Sequence, residues 1–220
     1  MTKIALIGFG VVGQGFARVL SQKQQELKEK YGLDAQLVAI SGRSKGSLMV
    51  EEGIDLGSLL TSFDKYGTVE SYPTGTKGLD SIQTIKKSGA DVVIEVTGTN
   101  LETGGAGLPH IREALGLGKH VITCNKGPAA LAYSELKELA DANGAKFRIE
   151  STVMAGTPAV NLGKEALAGN KILGFKGIIN GTTNYILTKM GEGGDYDATL
   201  KEAQELGYAE ADPAGDVEGW

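Results

Sequence analysis

The chain has one cysteine, Cys124, in 220 residues, which excludes an internal disulfide framework and a zinc site built from several cysteines. Basic charge is also scarce. Against 27 Asp and Glu stand 22 Lys and Arg, for a net charge of -5, so there is no positive field to attract nucleic acid. No apolar run approaches the ~20 residues that span a bilayer, and neither nucleic acid nor a membrane is expected as a partner. A strand begins almost at Met1, without the basic and apolar regions of a secretory signal in front of it. The cytoplasm is therefore the expected compartment. Repeats and low-complexity segments are lacking. Of the two histidines, His110 falls on a helical pattern and His120 at a strand start. Neither offers an evident base for Cys124, which weakens any acyl-enzyme chemistry at that thiol.

What is present starts with the run Lys3-Ile4-Ala5-Leu6-Ile7-Gly8-Phe9-Gly10-Val11-Val12-Gly13, a buried strand, a glycine-spaced turn and a helix start. In such a turn the first glycine permits the sharp reversal and the second lets backbone approach a pyrophosphate. The third lets helix and strand pack closely, and the helix-start N–H groups face the anion. A helix is expected over Gln14 to Lys30. Further strands are read at Ala35 to Ser41, Ala90 to Thr97, His120 to Thr123 and Ala145 to Ile149. Helical patterns fall at Leu79 to Ser88, Gly107 to Leu117 and Tyr133 to Asn143. Strands separated by helices of this length imply right-handed crossovers and a parallel sheet covered on both faces. The fold class is α/β, a doubly wound Rossmann-type domain over 1–150, with a second, smaller α/β domain over 151–220. Gly42 to Gly78 reads as a long excursion holding one or two short helices.

The tip of the second strand discriminates between nucleotides. NAD enzymes usually place a carboxylate there for the ribose hydroxyls; here the tip is Ser41-Gly42-Arg43-Ser44-Lys45, and Asp34 lies before the strand. Ser41, Arg43 and Lys45 suit a 2′-phosphate, with the planar guanidinium matching phosphate oxygens, so NADP is expected and NAD is possible. Ligands of open parallel sheets sit at the carboxyl ends of strands. The loops Thr97-Gly98-Thr99-Asn100 and Asn125-Lys126-Gly127-Pro128 should therefore converge on the cofactor's far half. Lys126, braced by Asn125 and a rigid Gly-Pro, is expected to be partly desolvated and suited to substrate contact or proton transfer.

Five segments taken together resemble the homoserine dehydrogenase family. They are the opening glycine turn, Asn125-Lys126-Gly127-Pro128, Glu150-Ser151-Thr152-Val153-Met154-Ala155-Gly156-Thr157-Pro158, Gly177-Ile178-Ile179-Asn180-Gly181-Thr182-Thr183-Asn184-Tyr185-Ile186-Leu187 and Gly207-Tyr208-Ala209-Glu210-Ala211-Asp212-Pro213. The resemblance implies NAD(P)-dependent interconversion of L-aspartate 4-semialdehyde and L-homoserine, on the route to threonine and methionine. It implies a catalytic Lys126 between nicotinamide and substrate, and substrate contacts from Glu210, Asn180 and Thr182, with Glu210 at the amino group. Gly207 would lie at the cofactor. A monovalent cation, usually sodium, would be held by Glu150 and the carbonyls of Val153, Ala155 and Thr157. A homodimer is implied as well.

Beyond Glu150, helices are read at Thr157 to Ala168, Thr182 to Gly191 and Tyr196 to Leu206, with a strand at Ile172 to Ile179. Members of the family continue past Glu210 into a helix bearing a further aspartate and lysine, whereas this chain stops at Gly219-Trp220. The expectation is a truncated chain with an intact cofactor half and weak or absent turnover. That departure keeps open an NADPH-binding regulatory or sensor module, and a second alternative is another NAD(P) dehydrogenase of the same amino-acid route.

Overall fold

The computed structural model describes residues 1–209 and 213–218. The chain divides into two units, Met1–Thr152 and Val153–Trp220. In the first, the strands are β1 (Thr2–Ile7), β2 (Ala35–Gly42), β3 (Gly46–Met49), β4 (Thr76–Lys77), β5 (Val92–Glu95), β6 (His120–Thr123) and β7 (Phe147–Arg148). Its helices are α1 (Val11–Tyr31), α2 (Leu56–Tyr66), α3 (Ser81–Lys87), α4 (Gly107–Gly116) and α5 (Lys126–Ala142). The strands form one sheet in the order β4-β3-β2-β1-β5-β6-β7. From β2 to β7 every neighbouring pair is parallel, and the reversal of direction beside β1 is the switch point of a doubly wound sheet.

Strand alternation gives the sheet two cores. Ile4 and Leu6 point to one face, packing with Leu37, Leu48, Leu59 and Phe63. Ala5 and Ile7 point to the other, packing with Val93, Ile111, Leu115, Val121 and Leu136. Local chemistry sets the helix ends. The Asp55 side chain accepts from Ser58 N at the start of α2, and Asp80 with Gln83 forms a reciprocal capping box at the start of α3. Gly32 and Gly67, both left-handed, close α1 and α2.

Three expectations change in this unit. The excursion from Gly42 to Gly78 holds α2 but also β3, which pairs antiparallel to β2, and β4, which pairs antiparallel to β3; the sheet is mixed. Strands of four and two residues are too short to show a period. The helix read from Tyr133 begins instead at Lys126, with non-helical geometry at Ala132. Proline is tolerated in a first helical turn, so Gly127-Pro128 enters the helix where a rigid loop was expected. The strand read over Ala145 to Ile149 narrows to Phe147–Arg148.

In the second unit the described residues are helical or irregular. A short helix, α6 (Ala159–Asn161), runs into a π-helical turn at Leu162–Ala166, followed by α7 (Gly181–Gly191), α8 (Tyr196–Glu205) and α9 (Ala214–Val217). The Asn180 and Asp195 side chains cap α7 and α8, and the Tyr185 and Tyr208 rings lie 5.1 Å apart between centroids. The strand expected at Ile172 to Ile179 is absent: that segment is irregular, with Leu173 88% and Phe175 87% exposed. Its apolar pattern suits a strand, but a ladder requires a neighbouring edge, and the described residues of this unit provide none.

Leu6, fully buried on the central strand, anchors one face of the sheet. Leu6→Ala is expected to lower stability by about 2–5 kcal/mol, read as a lower midpoint in urea unfolding.

Candidate functional site

A cleft of about 1000 Å³ opens at the carboxyl ends of β1, β2 and β5. Its floor is the β1–α1 turn. Gly8 has φ 107°, and a Cβ there would meet the Val96 carbonyl oxygen at 2.5 Å. A Cβ on Gly13 would strike the carbonyl oxygen of Gly8, while one on Gly10 meets nothing within 4 Å. The first and third glycines thus weld strand, helix and β5 together, and the second leaves backbone bare toward open space. Gly10 also caps α1 without a side chain, and the first turn has no acidic residue. The orphan N–H groups of that turn therefore remain available to an anion. These features fit a pyrophosphate.

Of the expected cofactor residues, Gly8, Phe9, Gly10, Ser41, Arg43, Lys45, Thr97 and Gly98 line this one cleft. Ser41 is buried, its hydroxyl 3.1 Å from that of Ser81. Arg43 is exposed at the tip, and the Lys45 ammonium lies 5.7 Å from the Phe63 ring centroid. Val11, Val12, Gly13, Asn125 and Lys126 are outside the lining. Gly207 belongs to the second unit.

Beneath the loops after β5 and β6 lies a buried carboxylate that sequence reasoning did not single out. Glu95 is completely buried. Its Oε1 accepts from Thr97 N at 3.0 Å and from the Thr97 hydroxyl, and its Oε2 accepts from the Thr123 hydroxyl at 3.1 Å and Asn125 Nδ2 at 3.3 Å. His110 Nδ1, otherwise without a hydrogen-bond partner among the described residues, stands 3.8 Å from Oε1. Burial pushes the Glu95 carboxyl up, but His110, Thr97 and Thr123 favour its charged form and hold it below its ordinary value. Gly107 fits here because a Cβ would collide with Asn125 Nδ2 and crowd Glu95.

The network reaches Lys126. The Thr99 hydroxyl donates to Asn125 Oδ1 at 2.6 Å and accepts from Lys126 N at 3.2 Å. Contrary to the expected partial desolvation, the Lys126 side chain is exposed, because it opens α5 at the rim of the sheet. A helix start favours anions, so a lysine there works against the dipole. Cys124 is half-buried, and burial together with the negative charge of Glu95 pushes its thiol up. It is a protonated, weak nucleophile at neutral pH.

Among the expected substrate contacts, Asn180 Nδ2 donates to Asp216 Oδ1 at 2.7 Å, and the Thr182 hydroxyl lies 2.8 Å from Asp216 Oδ2 and 2.7 Å from the Tyr208 carbonyl oxygen. Asp216 is a further residue that the sequence did not flag. Glu210, expected at the substrate amino group, lies outside the described residues. Of the expected cation ligands, Glu150 begins a 3-10 turn ending the first unit, while Val153, Ala155 and Thr157 open the second. Ala155 has φ 48°, beside Met154 at 59°, a region that non-glycine residues visit uncommonly. Among the described residues no cluster of three or more His, Cys, Asp or Glu could hold a metal, and no helix is long and apolar enough to cross a membrane.

This glycine-floored cleft at the switch point of a doubly wound sheet defines a protein of the dinucleotide-binding α/β class. A sequence model described as the homoserine dehydrogenase NAD binding domain matches residues 8–150, and one described as homoserine dehydrogenase matches residues 158–220. The chain belongs to the homoserine dehydrogenase family. It is 49% identical over 217 residues to a homoserine dehydrogenase of Methanocaldococcus jannaschii, covering 98% of this chain and 64% of that protein. It is 43% identical to an NAD(+)-dependent homoserine dehydrogenase of Pseudomonas canavaninivorans, covering 99% and 62%. The solved structure of a hyperthermophilic archaeal homoserine dehydrogenase in complex with NADPH superposes with a TM-score of 0.81 at 30% identity, covering 99% of this chain and 65% of that one. The chain thus spans a little under two thirds of the length of these relatives. Their shared name favours the dehydrogenase reading over a regulatory module.

Because the Glu95 carboxyl titrates below its unfolded value, its charged form adds stability that is complete above the unfolded value and lost as pH falls through the folded one. Glu95→Gln is expected to melt at a lower temperature at pH 7 and to lose less further stability on acidification than the parent chain. Parallel melting-temperature profiles in the acid range would reject that role.

Proposed function

We propose that the chain is the cofactor-binding half and part of the substrate-binding half of a homoserine dehydrogenase, interconverting L-aspartate 4-semialdehyde and L-homoserine in threonine and methionine synthesis. The observation that carries this reading is the cleft whose floor leaves Gly10 and the uncapped α1 start bare, in a chain belonging to this family. Residues 1–150 would hold the dinucleotide, and 151–220 would serve substrate binding and dimerisation. Gly8, Phe9, Gly10, Val11, Val12 and Gly13 cradle the pyrophosphate, Thr97, Gly98, Asn125 and Lys126 flank the nicotinamide end, and Gly207 approaches the cofactor. The tip residues Ser41, Arg43 and Lys45 favour NADP, in keeping with the NADPH complex of the archaeal relative, while the NAD(+)-dependent relative supports NAD as a second cofactor.

When bound, the nicotinamide supplies or accepts the hydride. The chain's residues align and neutralise. Lys126 presents its ammonium at the α5 start to negative charge growing on the carbonyl oxygen. Its loop is braced from below through Thr99, Asn125 and Glu95, a support for orientation during hydride transfer. Glu210 pairs with the substrate ammonium, and Asn180 and Thr182, both tied to Asp216, supply further substrate contacts. A sodium ion held by Glu150 and the carbonyls of Val153, Ala155 and Thr157 would be structural. The working form is a cytoplasmic homodimer.

In steady-state oxidation of L-homoserine by the full-length enzyme, Lys126→Ala is expected to lower kcat by roughly 10²–10³-fold with little change in dinucleotide affinity. Unaltered turnover would remove Lys126 from the chemistry. Arg43→Asp should reduce the ratio of NADPH to NADH affinity, and an unchanged ratio would reject the role of the tip.

A further inference from the structure

The second strand ends without a carboxylate, yet the folded chain brings one to it. A 3-10 turn at Val69–Ser71 docks on the β2–β3 hairpin: Val69 N and the Thr68 hydroxyl both donate to the Lys45 carbonyl oxygen, at 2.9 Å and 3.0 Å. This sets Glu70 against the hairpin, where its Oε1 accepts from Ser47 N at 3.1 Å. Gly46, with φ 78°, makes room, since a Cβ there would lie 2.6 Å from Glu70 Cγ. Glu70 lines the cleft together with Arg43, Ser44 and Lys45. Its other oxygen, Oε2, has no hydrogen bond or ion pair among the described residues, and the carboxylate makes no ion pair with Arg43 or Lys45. A half-buried, half-satisfied carboxylate thus faces the cleft at the end where the adenosine ribose belongs in this fold.

We propose that Glu70 sets the cofactor balance by accepting the hydroxyls of an unphosphorylated adenosine ribose, in opposition to Arg43, which draws a 2′-phosphate. This rests on the reading of the cleft as a dinucleotide site. The chemistry is antagonistic. A carboxylate that welcomes a hydroxyl donor repels a phosphate dianion, whereas a guanidinium does the reverse. A fixed acceptor from the 3-10 turn therefore takes the place of the usual carboxylate at the strand end, and it leaves the cationic tip intact, so both dinucleotides are admitted.

The test is titration of NADH and NADPH, followed by nicotinamide fluorescence, into the 220-residue chain and its Glu70→Gln variant. Glutamine retains an acceptor for Ser47 N, so the hairpin is preserved. The expected result is weaker NADH binding and tighter NADPH binding, a change of roughly tenfold or more in the ratio of dissociation constants. An unchanged ratio overturns the proposal. So does a parallel fall of both affinities, which would mark Glu70 as a strut for the hairpin. If the unaltered chain binds neither dinucleotide, the cofactor reading itself fails and takes this proposal with it. Competition by 2′-AMP and by AMP, read in the same chains, reports the ribose end alone. A Glu70→Gln change that leaves their relative potency unaltered also overturns the assignment.

Discussion

The contact on which the first unit depends is the meeting of three backbones at Gly8. There the end of β1, the start of α1 and the residue after β5 approach so closely that neither Gly8 nor Gly13 can carry a Cβ. This proximity fixes the angle at which α1 leaves the sheet, and hence where its uncapped N–H groups point. It also ties the β1–α1 turn to Val96, so the loop beginning at Thr97 is positioned by the same contact. The floor of the cleft and the loop after β5 form one rigid corner, and the two hydrophobic cores on either face of the sheet hold that corner in place.

A second constraint is electrostatic. Glu95 is a full charge without solvent contact, tolerable only because hydroxyl, amide and side-chain amide donors surround it. Those donors come from the loop after β5 and from the end of β6 with the residues that follow it, so satisfying the charge fastens one strand end to the other. Removing a donor would leave charge uncompensated in a low-dielectric setting, which makes the arrangement all-or-none rather than graded. The cost of burying the carboxylate is thereby converted into precision at the carboxyl edge of the sheet.

Much of the first unit was legible in the sequence, for identifiable reasons. The run Ile4–Ile7 is a buried strand and His120–Thr123 a half-buried one, both with distinct apolar patterns, and the glycine spacing announces the turn between β1 and α1. The basic tip and the loops after β5 and β6 followed from strand ends. What escaped depended on tertiary context. β3 and β4 are too short to carry a period, and Pro128 signals a break although it sits in a first helical turn. Glu95 reads as a misfit in a buried strand until its donors arrive from Thr97, Thr123 and Asn125. Glu70 is nearly thirty residues beyond the strand tip it approaches, so no local pattern links them. The Ile172 to Ile179 segment shows the converse, a sequence suited to a strand where the described residues of its unit offer no edge on which to form one.

Lys126 is fastened to its surroundings by its main-chain N–H, donated to the Thr99 hydroxyl, while its side chain stands free in solvent. Anchor and exposed amine are therefore separate parts of the same residue. The side chain can be shortened, lengthened or recharged without breaking the anchor at the start of α5, so this position is a chemical port on the scaffold. An altered amine placed there would inherit its location from the backbone, and any difference in behaviour would report on the amine alone.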